Sequence, residues 1–294
     1  MLNLSDLTRY PCWRAHKLEG VQHYLSHPFV KIQNPERLDE TALSALRDRV
    51  SAMNFALYRI DPNIDFDHVS LKRLCQQIGL VQLDTNPFAE SSGISEIRVA
   101  TNGDKRQEYI PYSNQALNWH TDGYYNPPGK RINGFAMHTI RAGASGGQNQ
   151  FLDHEILYLL LRDKDPALAA CLFEDDAMTI PPGLEAGGNE RPAQTGPVFS
   201  FDHSDRLTMR FTLRKRHISW KQSDLIEAAL IGVNAILNDP DNPFILAHRF
   251  EAGEGVISNN VLHNRAAFTD PGGGEPGRMA LRARFYDRIK ILGV

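Results

Sequence analysis

Leu43, Leu46, Val50 and Met53 recur at spacings of three and four, the period of a helix that buries one face, so residues 40–53 are predicted as an amphipathic helix. The apolar run at 55–60 then reads as a strand. Residues 65–80 return to the helical period, with Val69, Leu71, Leu74, Cys75 and Ile78 toward the core and Gly79 near the C-terminus. From about residue 95 the pattern changes to short β-rich segments at 95–101, 133–141, 198–201, 207–213, 244–250, 255–262 and 278–289. Two helical insertions interrupt them, at 153–173 and 223–237. Gly and Pro gather between these segments, at 126–129, 143–147, 181–188 and 270–277, where they mark turns and loops. Strand-rich segments punctuated in this way predict a sandwich or barrel, with the first 90 or so residues packed against it.

Composition narrows the function classes. The 294 residues are 41% hydrophobic and 23% charged, the balance of a globular chain of one or two domains. With Lys plus Arg at 32 and Asp plus Glu at 35, the net charge of −3 gives no chain-wide basic field for a polyphosphate backbone, so no nucleic-acid partner is expected. Cys12, Cys75 and Cys171 stand far apart with no CxxC spacing, and they read as reduced, packed thiols. The longest helix-like apolar stretch, 225–237, contains Glu227 and Asn234 and falls short of the ~20 residues that cross a bilayer. No membrane partner is expected. Asp6 and Arg9 stand where a secretory signal needs continuous apolar residues, which predicts a cytoplasmic protein.

Candidate chemistry begins at His120-x-Asp122, an imidazole and a carboxylate that an extended backbone points to one side. A chain with 11 histidines holds about one such pair by chance, and His203-x-Asp205 is a second, set in a polar cluster that reads as a turn. His263, at the end of the predicted 255–262 strand, can complete two histidines and one carboxylate on one face of an iron, leaving other positions open. Arg278 follows the 270–277 turn, and a hairpin can return it beside the site to hold the distal carboxylate of a small dicarboxylic acid. Asn118, Trp119, Tyr124 and Tyr125 flank the first pair and suit the lining of a small-molecule pocket, although alternate members must face the core. Arg210 and Arg214 are weaker candidates for an acidic substrate, solvated or ion-paired arginines being the commoner case.

Trp119-His120-Thr121-Asp122, Pro127-Pro128, Gly146-Gly147 before Phe151, Leu262-His263 through Phe268, and Arg278 with Arg282 stand in an order that closely resembles the taurine dioxygenase-like (TauD/TfdA) family, from about residue 70 to the C-terminus. That family comprises iron(II)- and 2-oxoglutarate-dependent oxygenases. The resemblance implies one domain over 1–294, mainly β, with a double-stranded β-helix (jelly-roll) core over 81–294 and helical insertions, against which N-terminal helices and a strand within 1–80 pack. It implies His120, Asp122 and His263 as iron ligands and Arg278 as partner of the 2-oxoglutarate C5 carboxylate. Arg282 matches a second family arginine that holds cosubstrate or an anionic substrate, and Asn149 stands where the family often places a threonine for 2-oxoglutarate. Asn118, Tyr124 and Arg282 are the implied substrate contacts. The implied reaction uses O2, hydroxylates a small acidic or zwitterionic molecule and releases succinate and CO2. Two other readings remain at this point: a jelly-roll metal enzyme without a keto acid, and a non-catalytic small-molecule binding protein. Oligomeric state stays open between monomer and homo-oligomer.

Overall fold

The computed structural model describes residues 10–84, 90–184, 190–213 and 218–289. Six helices are assigned: α1 (Tyr10–Leu25), α2 (Glu40–Met53), α3 (His68–Gln77), α4 (His154–Lys164), α5 (Pro166–Ala170) and α6 (Asp224–Asn238). Ten strands build the two main sheets: β1 (Phe29–Lys31), β2 (Phe55–Arg59), β3 (Ser95–Ile97), β4 (Leu117–His120), β5 (Gly134–Arg141), β6 (Asn149–Leu152), β7 (Leu246–His248), β8 (Glu254–Ser258), β9 (Leu262–Arg265) and β10 (Met279–Phe285).

The predicted 40–53 helix forms as α2, because the Asp39 carboxylate accepts from Ala42 N at its start and Asn54, at φ 59°, turns the chain out at its end. The second predicted helix starts later than its periodicity suggests. Asp67 caps it through Ser70 N, so the helix begins at His68, and Val69 on its first turn is 50% exposed rather than buried. Residues 153–173 do not form one helix. Asp165 adopts an extended backbone and caps α5 through Ala167 N, while Pro166 has no N–H to continue α4. Helix α1, which the sequence reading did not predict, packs Val21 into the core with Trp13, Leu18, Tyr24 and Leu25 against it, and a lysine, Lys17, interrupts that face.

One sheet runs β1-β2-β8-β5-β10-β3 and the other β7-β6-β9-β4. Strand alternation explains how they stack. Phe55, Leu57, Phe135 and Val256 face the smaller sheet, where Trp119, Phe151, Leu152 and Leu262 join the same core. Ala56, Tyr58, Ala136, Ile257, Leu281 and Ala283 face the other way, against Leu46 and Val50 of α2 and Leu71 and Leu74 of α3. The N-terminal segment therefore does more than cover the barrel: β2 pairs with β8 from Phe55↔Ser258 to Arg59↔Glu254 and is built into the larger sheet.

The expected 255–262 strand is two strands. The chain leaves β8 at Ser258, turns through Asn260 at φ 57°, and enters β9 in the opposite sheet. His263 consequently sits within a strand and not at the end of one. Arg278 does not return on a neighbouring strand of a hairpin either. Phe268–Thr269 pairs with Ser145–Gly146, whereas β10 pairs with β5 and β3, so Arg278 arrives on the facing sheet. Cys75 and Cys171 are packed thiols, but Cys12 is exposed on α1. Among the described residues no helix is long and apolar enough to cross a membrane.

Charge adds to the apolar contacts that hold helix α1. Lys17 is 6% exposed, and its Nζ lies 2.5 Å from both Asp153 Oδ2 and Glu155 Oε2 at the start of α4. Removing one partner of such a buried cluster strands the remaining charges, whereas the half-exposed Arg14–Asp163 pair is screened by solvent. Lys17→Met is expected to cost about 3 kcal/mol of unfolding free energy and Arg14→Ala under ~1 kcal/mol, measured by urea denaturation. Equal effects would contradict this division.

Candidate metal centre

The register of the smaller sheet places His263 directly opposite His120, with ring centroids 4.2 Å apart. Asp122 follows two residues beyond the end of β4. One ligand atom from each of His120, Asp122 and His263 lies within 4.8 Å of the others, the one cluster of metal-ligating side chains found among the described residues. His203, by contrast, is exposed in the turn between Leu207–Met209 and its partner strand Phe199–Phe201. There the Asp202 carboxylate accepts from Ser204 N and Arg206 N.

Each imidazole is oriented by its own strand. His120 Nδ1 donates to Asn118 O and His263 Nδ1 donates to Val261 O, both at 2.9 Å, which leaves the two Nε2 lone pairs for a cation. Burial, followed by the neighbouring His263, brings the His120 pKa down to about 3, and burial lowers His263 as well. Burial alone would raise the Asp122 pKa, but Arg282 and Arg284, with the two histidines, outweigh it and hold the carboxyl well below its ordinary range. The three side chains are thus neutral, neutral and ionised at neutral pH, the states in which they ligate. Asp122 Oδ2 is buried without a hydrogen-bond partner. Two imidazole nitrogens and one carboxylate fit iron(II) with open positions.

The Asp122 main chain is clamped by a residue that spacing does not reveal. Asn260 Oδ1 accepts from Asp122 N at 2.8 Å, while Asn260 Nδ2 donates to Asp122 O at 3.0 Å and Ile132 O at 2.7 Å. Thr121 bonds Phe211 through both N and Oγ1, and Gly123 at φ 64° turns the chain where a Cβ would meet Ile132 at 2.4 Å. The loop that carries the carboxylate is therefore fixed on three sides.

A small cleft borders His263, and Asn149, Arg265, Arg278 and Arg282 line it. Arg265 and Arg278 flank the Phe268 ring, their guanidinium carbons 4.9 and 5.4 Å from its centre. Phe268 is brought there by Gly146, whose φ of 70° lets the main chain pass so close that a Cβ would lie 2.4 Å from Ala267 O. Arg265 is anchored on Ser113 O and Gln115 O, and Asn149 on Gly147 O. Arg278 is buried and its Nη1 has no hydrogen-bond partner. Among the described residues, the one ion pair of these three guanidinium groups joins Arg282 Nη1 to Asp122 Oδ1 at 3.5 Å. Asp270 accepts from Arg278 N at 2.7 Å and acts on its guanidinium from farther off, so among the described residues neither Arg265 nor Arg278 has a carboxylate within 4.0 Å of its guanidinium nitrogens.

A second cavity, of about 290 Å³, is lined by Asp122 and Tyr124. Asn118 is exposed and meets the centre through its carbonyl. Trp119 is core, and the Tyr125 hydroxyl accepts from Arg284 Nη1 at 2.9 Å. Arg210 is buried, neither solvated nor ion-paired, and donates to three carbonyls, while Arg214 lies outside the described residues. Arg284, which sequence reasoning missed, had a signal: it follows Arg282 at the strand period and so shares its face.

The fold recurs elsewhere. Asparagine oxygenase in complex with Fe(II), 2S,3S-3-hydroxyasparagine and succinate is 15% identical, with a TM-score of 0.55 over 92% of this chain and 90% of that one. The non-heme iron oxygenase OrfP with Fe and alpha-ketoglutaric acid is also 15% identical, with a TM-score of 0.60 over 94% and 92%. The PvcB protein from Pseudomonas aeruginosa is 18% identical, with a TM-score of 0.59 over 88% and 85%. Curated protein sequences give no significant match. The profile of the family described as taurine catabolism dioxygenase TauD, TfdA matches residues 17–284, nearly the whole sandwich with α1's last turns and β10 included, and the chain belongs to that family.

Proposed function

We propose that His120, Asp122 and His263 hold iron(II), that Arg278 takes the C5 carboxylate of 2-oxoglutarate, and that the enzyme hydroxylates a small molecule bound on the Asp122 side. Membership of the family makes the chain an iron(II)- and 2-oxoglutarate-dependent oxygenase. Bound together, iron(II) and 2-oxoglutarate supply the chemistry that couples oxidative decarboxylation of the keto acid by O2 to hydroxylation of a C–H bond, releasing succinate and CO2.

The observation that carries the assignment is the cleft beside His263, where three guanidinium groups converge and Arg278 Nη1 has no partner. A dicarboxylate satisfies that arrangement, and a metal enzyme without a keto acid would have no use for it. Arg282, already 3.5 Å from the Asp122 carboxylate, serves the end of the cosubstrate nearest the metal, and Asn149 stands beside it. The histidines contribute Nε2 while their Nδ1 protons stay on main-chain carbonyls, so neither ring needs to turn or lose a proton when metal binds. The hydroxylated amino acids held by the asparagine oxygenase and OrfP structures support a substrate of metabolite size.

Three outcomes test this. Anaerobic addition of iron(II) and 2-oxoglutarate is expected to produce a visible charge-transfer band, absent in His120→Ala and requiring about 100-fold more 2-oxoglutarate in Arg278→Met. A wild-type protein without the band would sink the assignment. Metal affinity should also depend only weakly on pH. Two histidines of ordinary pKa would each lose about tenfold between pH 7.5 and 5.5, together ~100-fold, whereas His120, brought down to about 3, is already deprotonated across that window and burial lowers His263 in the same direction. Calorimetric titration with Mn(II) at the two values is expected to differ by less than ~10-fold. Finally, Asn260→Gly keeps the left-handed backbone but removes the clamp on Asp122, and it should weaken Mn(II) binding by at least ~10-fold with the fold intact by circular dichroism.

A further inference from the structure

We propose that Arg265 is a positioning residue that ties residues 110–116 to the cosubstrate cleft, so that a bound dicarboxylate pins this segment and the segment in turn shuts the cleft from water. This rests on the cosubstrate assignment above and goes beyond it: binding of 2-oxoglutarate and ordering of one wall of its cleft become a single event.

The segment between β3 and β4 has little apolar packing of its own. Two short 3-10 turns, Lys105–Glu108 and Ile110–Tyr112, are its regular structure, and between Thr101 and Ala116 Tyr112 alone is buried, in a small cluster with Ile97 and Ala280. Few buried apolar contacts mean a low cost of local opening. Polar ties to the body of the fold take their place. Arg265, at the end of β9, donates from Nη2 to Ser113 O at 2.8 Å and Gln115 O at 2.7 Å and from Nη1 to Pro111 O at 3.4 Å, while Phe268 N donates to Asn114 O at 3.1 Å. One planar guanidinium thus gathers three carbonyls spaced two residues apart, which the compact ammonium of a lysine cannot reproduce. Pro111 and Leu117 of the same stretch border the cleft. The segment then runs into β4, which carries His120.

The same side chain responds to what occupies the cleft. Arg265 is 5% exposed, its Nε is buried without a hydrogen-bond partner, and it shares the Phe268 ring with Arg278. The charges that act on it are those of Arg278 and Arg282, both of its own sign. With the cleft empty the three guanidinium groups repel one another, and Arg265 is the one whose displacement carries another segment's main chain with it. A dianion in the cleft replaces that repulsion with attraction. It settles Arg265, and with it the carbonyls of Pro111, Ser113 and Gln115. Linkage makes the effect reciprocal: a segment held by these hydrogen bonds presents Arg265 in place and raises the affinity for the dianion by the same factor.

The test is hydrogen–deuterium exchange of the Mn(II)-loaded protein with and without saturating 2-oxoglutarate, read by mass spectrometry on peptides covering 109–116 and, as a control, α6, alongside calorimetric affinities. In the wild type, 2-oxoglutarate is expected to slow exchange in 109–116 by about 10-fold and to leave α6 unchanged. Arg265→Lys keeps the charge without the fork, so the slowing should be lost and 2-oxoglutarate should bind about 10-fold more weakly, the two factors agreeing within ~3-fold because they are one coupling. Arg265→Met loses the charge as well and should weaken 2-oxoglutarate by at least ~30-fold, again without slowing. A slowing that persists in either variant, or 2-oxoglutarate that binds the wild type and leaves exchange in 109–116 unchanged, would overturn the tie while the cosubstrate assignment stands. Failure of 2-oxoglutarate to bind the wild type at all would overturn both.

Discussion

Everything at the centre depends on one turn, Ser258 to Leu262, where the chain leaves one sheet and enters the other. Asn260 adopts the left-handed region there, and its side-chain amide takes up both the N–H and the C=O of Asp122, residues that lie far apart in the chain. Its neighbour Asn259 does the same work outward. It donates to Asn54 through both N and Nδ2 and accepts from Ile289 N, which ties the turn to the end of α2 and to the C-terminal segment. Asn54 passes the constraint on to Asp153, the carboxylate that also caps α4 and meets Lys17. A net hydrogen bond contributes only ~1 kcal/mol, but a buried group left unpaired costs about 1–3 kcal/mol. A chain of mutually satisfied buried groups therefore resists partial rearrangement, and the carboxylate at its end stays where the imidazoles need it.

The electrostatics follow from that placement. A carboxylate buried as deeply as Asp122 would protonate unless cations stood nearby, and β10 provides them at alternate positions. Arg282 contacts it directly at 3.5 Å, while Arg284 is committed to Asp84 and to the Tyr125 hydroxyl and acts only through space. The difference has a chemical use. A guanidinium bonded bidentately to Asp122 would compete with a metal for the same oxygens, whereas one loose contact and one remote charge keep the carboxylate ionised and leave Oδ2 without a protein partner. The net charge of −3 conceals this local positive field entirely.

Local signals were legible in the sequence and long-range ones were not. Helix α2 formed where its period and its flanking Asp39 and Asn54 agree, and the HxD pair stood out through its context. The break at Asn260 had a local signal that the strand reading passed over, Ser258-Asn259-Asn260 in the middle of an otherwise apolar run, but the run does not say that its two halves belong to different sheets. The clamp on Asp122 was hidden for a related reason, since an Asn side chain that satisfies a distant main chain leaves no local pattern. Helix α1 was missed because its core-facing side mixes aromatic and apolar residues with Lys17, whose ion pairs with Asp153 and Glu155 no local pattern shows. Val69 shows the reverse error, an apolar residue at helical spacing that the cap at Asp67 rotates into solvent.

The cleft beside His263 and the cavity lined by Asp122 are built by the same means with different strictness. In the cleft beside His263, Arg265 and Arg278 are stacked on a single ring, and Gly146 admits that ring only because it lacks a Cβ. The arrangement is close-fitting. Around the cavity that Asp122 lines, Arg131 and Arg210 instead hang on hydroxyls and carbonyls of the 178–208 segment, between α5 and α6. The positions of His120, Asp122 and His263 are set by sheet register, by Asn260 and by the bonds of Thr121 to Phe211. A scaffold divided in this way can keep its three converging side chains fixed while the wall of the cavity beside them varies.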